Sequence, residues 1–270
     1  MRDRFLILLI LFTLLPRLEA KGAGFLDTGI FDPNQLGSAI PQAVADQAIL
    51  LVGSYAAHRP YSGAVANTTG SLFDLGIETT LVKIGDGLPD ALSANGIPTS
   101  ASAVPAIPMI KVHLRKSLGA SSEFGLSALT FKNQAVYGAD LKFALITAEE
   151  GPSLALRLLY TWISIPMLYI DRCTVIAPEL VLSQPLSFAE SWIGVGGRYA
   201  SGIMKTTVTT TVGPLTVSTD LSKAGAAGSG YAFTGVKFRI PGQTGLRLGI
   251  EGSFDFAGYH TMGTFIGVGF

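Results

Sequence analysis

The chain has 270 residues, 48% of them apolar and only 14% charged, and its 19 basic and 19 acidic side chains leave no net charge. That balance excludes a basic nucleic-acid-binding surface, and a mean hydropathy of +0.44 is too apolar for an ordinary soluble protein. The single Cys173 has no partner for an internal disulfide and reads as a small buried apolar residue.

Taken in chain order, residues 1–20 read as a secretory signal peptide. Arg2 and Arg4 precede the apolar run Phe5–Leu15, which only Thr13 interrupts, and Ala20 offers a small residue for cleavage. The run is too short to cross a membrane as a helix, and no later apolar run reaches that length. Residues 21–36 are rich in Gly and Asp without periodicity and read as an extended lead-in. Residues 38–57 favour helix, with Ser38 as the N-cap and Pro41 in the first turn. His58-Arg59-Pro60-Tyr61-Ser62-Gly63 then breaks any regular element. The segment 21–70 is therefore expected as a lead-in and helical plug or cap, with His58, Arg59 and Tyr61 as its contact candidates.

From residue 71 the pattern changes to apolar–polar alternation, the period of a strand with two different faces. Ten such segments follow, at 71–83, 107–116, 122–131, 135–147, 152–164, 168–182, 187–201, 230–240, 244–256 and 259–270. Leu168–Leu182 is the least regular, and its Cys173, Pro178 and Glu179 suggest a bulge. Apolar content spread through short alternating strands predicts an all-β, antiparallel transmembrane β-barrel over 71–270, because a closed sheet satisfies every backbone group in lipid. Connections 84–106 and 202–229 are long and the rest short; with ten strands both long ones fall on one side. An additional strand at 48–57 would break that parity, a further reason to read it as helix. Thr206–Val212 and Leu215–Thr219 alternate Thr and Val around Gly213-Pro214. They form a hairpin protruding above the membrane, or, on a twelve-strand count, a further spanning pair; the threonine-rich face favours the hairpin. Tyr137, Tyr160, Trp162, Tyr169, Trp192, Tyr199 and Tyr259 lie near strand ends as candidates for an interfacial aromatic girdle.

The inward face collects Asp74, Glu78, Lys111, His113, Arg115, Glu123, Asp140, Lys142, Arg157, Arg198, Lys237, Arg239, Arg247, Glu251 and Asp255. Ten strands enclose a narrow space, so these charges either fill it as a network or line a conduit that selects anions. A ten-stranded lumen has little room, so residues 38–61 are expected as a partial insertion or as a cap across its periplasmic mouth. The three histidines, His58, His113 and His260, show no metal-ligand spacing, and no acid, base and nucleophile set is evident in the sequence. The chain reads as a non-enzyme without cofactor or metal.

The last segment, Tyr259–Phe270, places Met262, Thr264, Ile266, Val268 and Phe270 on one face. Thr261, Gly263, Gly267 and Gly269 lie on the other, with Phe265 as the large exception. A strand of this alternation closed by Phe270 resembles the assembly signal of bacterial outer-membrane β-barrel proteins, and the leader and the repeated strands fit the same class. The resemblance implies export to the outer membrane of a Gram-negative cell, outer-membrane lipid as surroundings and the barrel-assembly machinery as a partner. It brings no catalytic residue. The function expected is that of a narrow channel, transporter or binding protein for a small solute, or alternatively of a structural or surface-interaction barrel without transport.

Overall fold

The computed structural model describes residues 41–65, 73–83, 109–119, 121–148, 151–166, 170–212, 215–240 and 245–270, with backbone alone at 82–83, 206–212, 215–219 and 221. The expected signal peptide and lead-in, Ser38, Tyr169 and the 84–106 connection lie outside the described residues. Among the described residues one helix, α1 (Gln42–Ala56), precedes ten strands: β1 (Phe73–Lys83), β2 (Met109–Ser117), β3 (Ser122–Phe131), β4 (Gln134–Ile146) and β5 (Ser153–Ile165). The remainder are β6 (Ile170–Pro185), β7 (Ala189–Val212), β8 (Leu215–Arg239), β9 (Leu246–Asp255) and β10 (His260–Gly269). Every strand pairs antiparallel with its chain neighbour, and β1 pairs with β10, so the sheet is a closed barrel.

Alternation decides what each strand shows to each side. On β5, Arg157 and Thr161 are buried, while Leu156, Leu158 and Tyr160 are exposed. On β10, Thr261, Gly263 and Phe265 point in, while Met262, Thr264 and Ile266 point out. A wall with apolar side chains outside and charges inside inverts the soluble arrangement and suits a lipid solvent.

Two ends of the barrel can be distinguished. At the terminal end the seam closes through Phe270 N–H to Phe73 O (2.9 Å) and Phe73 N–H to Phe270 O (3.1 Å). At the opposite, hairpin end, β7 and β8 run on past their neighbours. Met204 is the last β7 residue paired with β6, and Tyr231 the first β8 residue paired with β9. In the ladder, residues 205–212 therefore pair only with 215–222, through Val212 opposite Leu215, and residues 223–230 pair only with 197–204 of β7. The span 202–229, expected as a connection, is thus mostly strand, because its β-branched Thr and Val residues continue the β7–β8 ladder. The count is ten, with the hairpin protruding.

Two further expectations are corrected. The irregularity expected in β6 lies at its Cys173 end and not at Pro178-Glu179: the β5–β6 register shifts between Cys173 and Ile170 and the β6–β7 register between Ile170 and Arg172, whereas Ile176 opposite Tyr199 and Glu179 opposite Gly196 keep one register. The proline faces outward, and Glu179 simply follows the alternation inward. Trp192 and Tyr259 are buried (3% and 2% exposed) and do not belong to an interfacial girdle. Trp192 shares the inward parity of Glu190 and donates Nε1–H to Glu251 (3.1 Å).

Candidate functional site: the occupied lumen

Residues 41–65 lie inside the barrel, in two tiers. The first, towards the hairpin end, is apolar. Helix α1 starts at Pro41, which takes the N-cap position without a side-chain bond. It buries Val44, Ala45, Ile49, Leu51 and Val52 against inward residues of the wall, among them Ile163, Ile170, Cys173, Val175, Ala200 and Met204. A helix apolar on nearly all sides needs such an all-round enclosure, and each large side chain so buried contributes roughly 1.5–3 kcal/mol. The free Cys173 is part of this cluster, as a buried apolar residue should be. Towards its start the helix leans on the projecting hairpin. Gln42 Nε2 donates to Ala224 O and Ala226 N–H donates to Asp46 Oδ1, both at 2.9 Å, so helix side chains satisfy β8 where β9 no longer reaches.

Gly225 lies between those two contacts. A Cβ there would stand 2.7 Å from the Ala45 carbonyl oxygen, so the close approach of helix and strand needs glycine. Gly225→Leu is expected to push α1 out of place at a cost of about 1–3 kcal/mol. Chymotrypsin cleavage at Leu50 or Tyr55 of the refolded barrel should then be roughly tenfold faster than in the parent chain. Equal cleavage rates would show that the helix is not held by this contact.

The second tier is polar and surrounds the extended stretch 57–65. The wall grips its backbone carbonyls. Lys111 Nζ donates to Ala57 O (2.7 Å), Arg157 Nη1 to Ser62 O (3.0 Å), and Lys142 Nζ to Gly63 O (2.9 Å) and Val65 O (2.8 Å). Two wall hydroxyls accept from its amides: Thr161 from His58 N–H (2.9 Å) and Ser183 from Ala64 N–H (2.8 Å). Side chains add to this grip. Arg59 reaches Glu251 (3.6 Å) and donates to Thr261. Tyr61 takes a left-handed φ of 47° and stacks on Phe265 at 5.6 Å, its hydroxyl passing over Gly263. Phe265, the large residue on the small face of β10, is thus the partner of the inserted segment.

His58 completes a group that its position in sequence does not reveal. Its Nδ1 lies 2.7 Å from Ser127 Oγ and its Nε2 2.5 Å from Asp140 Oδ1, while its ring stacks on His113 at 4.9 Å. Donation from Nε2–H to the carboxylate and acceptance at Nδ1 from the serine hydroxyl satisfy all three. Serine, imidazole and carboxylate are the ingredients of a nucleophilic triad. Here, however, Asp140 also takes Arg115 (2.9 Å), Ser127 is buried, and the ring of His58 covers the space above Gly138. The group has no room for a substrate in this state; what it does is fasten the inserted segment to β3 and β4.

Around the segment runs a network of ion pairs. Lys111 (2.8 Å) and His113 both contact Glu78, which also accepts from Thr80 Oγ1 (2.6 Å). Glu123, Lys142, Arg157 and Glu179 lie side by side in one row across four strands. Lys142 pairs with Glu123 and Arg157 with Glu179, each at 2.8 Å. Arg115 reaches Asp140 across Gly125, where a Cβ would stand 2.1 Å from the carboxylate oxygen. Arg198 bridges Ser54 of α1 (2.8 Å) and Asp255 (3.0 Å), and Arg247 pairs with Asp74.

The expected lumen residues are buried with one exception. Arg239 ends β8 at the terminal rim and is exposed, because the wall stops there. Sequence reading missed Glu179 and Glu190, both buried, although outward Leu180, Leu182, Ile193 and Val195 place them inward by simple alternation. Glu190 lies directly opposite Lys237. With these two and Arg59, the buried Lys and Arg number eight and the buried Asp and Glu also eight among the described residues. The interior therefore has no basic excess to select anions. Two voids among the described residues, one beside His58, Arg59, Glu179 and Arg198 and another beside Tyr61, Asp74, Arg115 and Lys237, are small, each of about 10 Å³. That is room for about one water.

No protein-family model matches the chain, and no curated protein matches it in sequence. Solved structures do show similarity. The N-terminal β-barrel domain of Pseudomonas aeruginosa OprF aligns at 9% identity and a TM-score of 0.29, over 73% of this chain and 97% of that one. Acinetobacter baumannii Omp33 aligns at 10% identity and a TM-score of 0.30, over 77% and 100%. Ail, the attachment invasion locus protein of Yersinia pestis, aligns at 9% identity and a TM-score of 0.26, over 73% and 94%. The likeness is one of architecture alone. The chain's own geometry, ten antiparallel strands closed on themselves with apolar side chains outside and charges inside, is that of a transmembrane β-barrel.

Proposed function

We propose that this chain is an outer-membrane barrel kept closed by its own residues 41–65, and that it acts as a structural or surface-presenting unit rather than as an open path for solutes. The carrying observation is the occupied polar tier. The wall cations Lys111, Lys142 and Arg157, which could have coordinated a passing anion, are engaged by backbone carbonyls of the inserted segment and by wall carboxylates. In this reading the lipid of the outer membrane contacts the exposed Leu, Ile and Phe side chains. The terminal end faces the periplasm, where short turns are the rule, and the long hairpin stands outside.

Planar-bilayer recording of the refolded full chain tests this. The expected result is a sealed bilayer without steady conductance steps. Steady, reproducible steps from the intact chain would overturn the reading and favour passage of a small solute. Steps that appear only after deletion of 42–65, in a barrel that still folds, would support it, since they locate the seal in the inserted segment.

A further inference from the structure

Residues 41–65 do not merely enter the lumen; they cross it. Gln42 sits beside Ala224 on the projecting hairpin, and Ser54 beside Arg198 and Asp255 at the hairpin-end rim of β9. His58 lies between Ser127, Asp140 and Thr161 in the body of the wall. Ala64 and Val65 reach Ser183 and Lys142, close to where β6 and β4 finish at the terminal end. Chain length is compatible with the same course. Val65 must join Phe73 on the terminal rim, and eight residue steps span at most ~30 Å.

We infer that the barrel holds its own polypeptide as a through-strand, so that the start of α1, at Pro41 and Gln42, stands at the hairpin end, on the opposite side of the membrane from Phe73 and Phe270. The barrel would then present the start of this segment outside the cell. The chemistry of the grip fits this role. Its cations and hydroxyls engage mainly backbone carbonyls and amides, which every extended polypeptide offers, and side-chain contacts are concentrated at His58, Arg59 and Tyr61. A wall built to pass a small solute needs no such spacing of backbone partners. A cap resting on the periplasmic mouth would leave Gln42 far from Ala224. The inference rests on the same docking as the closed-barrel reading but adds a direction to it.

The test is side-specific labelling of intact cells with a membrane-impermeant maleimide. Three variants, each with one added cysteine, are needed: Ala43→Cys at the exposed start of α1, Lys132→Cys in the β3–β4 turn at the hairpin end, and Ser187→Cys in the β6–β7 turn at the terminal end. Lys132 and Ser187 are both exposed. The native Cys173 is fully buried and supplies the background. Ala43→Cys is expected to label together with Lys132→Cys, and Ser187→Cys only after the outer membrane is opened. Labelling of Ala43→Cys together with Ser187→Cys instead would overturn the inference, whichever way the barrel is inserted. Should the cysteine at 43 react in neither condition, a protease site inserted directly before Pro41 decides: cleavage on the Lys132 side supports the crossing, and cleavage on the Ser187 side refutes it. Conductance and labelling fail separately. A silent bilayer with position 43 on the Ser187 side would leave the closed barrel standing and remove only the crossing.

Discussion

Glu78→Ala is expected to lower the stability of the folded barrel by about 3–5 kcal/mol, the usual cost of stranding one partner of a buried ion pair. Glu78 is fully buried and serves three neighbours: Lys111 at 2.8 Å, His113, and the hydroxyl of Thr80. Removing its carboxylate leaves the Lys111 ammonium in the interior with carbonyl oxygens of the inserted segment as its remaining partners. The measurement is the urea midpoint of reversible unfolding in detergent. The double variant Glu78→Ala, Lys111→Met should recover a large part of the loss, since apolar replacement of a whole buried pair is often close to neutral. A single-variant loss below about 0.5 kcal/mol would mean that water reaches Lys111 and that the lumen is wetter than its packing indicates.

The second large effect is expected at the seam. Phe270 exchanges backbone hydrogen bonds with Phe73, and the two rings stack at 6.1 Å on the outer surface. The β1–β10 ladder, from Asp74 opposite Gly269 to Lys83 opposite His260, is what converts a ten-stranded sheet into a barrel. Phe270→Glu would place a carboxylate where the ring now packs at the rim, next to the edge that must zip last. An unclosed edge cannot persist in lipid, because its N–H and C=O groups find no partners. Export should continue while heat-modifiable, membrane-inserted protein falls to a small fraction of the parent yield. An unchanged yield would show that the ladder closes without the terminal ring.

Much of the wall was legible in the sequence. Ser122–Phe131 is a strand over the residues expected, and most of the other strands end within a few residues of their expected bounds, because period-two alternation is a local signal that needs no knowledge of neighbours. The lipid-facing row of β10 and the inward row of β2, with Lys111, His113 and Arg115, follow from that same alternation. Glu179 escaped only because Pro178 suggested a bulge. The ladder absorbs that proline, which faces outward in a register unbroken from Ile176 to Glu179. The protruding hairpin at 206–219 was legible, but its continuity with β7 and β8 through 202–205 and 220–229 escaped, because a stretch rich in Gly, Ala and Ser reads equally as loop or as strand until its partner is known.

The site was legible only in part. Residues 38–57 could be read as helix from composition, and His58-Arg59-Pro60-Tyr61 as a break, but neither reading says where the segment goes. His58 and Asp140 are 82 positions apart, and His58 and Ser127 69; no local pattern links them. Sequence by itself determined the period of each strand, and with it which side chains meet lipid and which meet the interior, because inward and outward are fixed by residue parity along a strand. Only the tertiary structure decided which charges are neighbours, that the eight buried cations balance eight buried anions, and that residues 41–65 run through the lumen from one end to the other. Those outcomes depend on the register of ten strands and on the width of the closed barrel, which are set by the pairing of residues far apart in the chain.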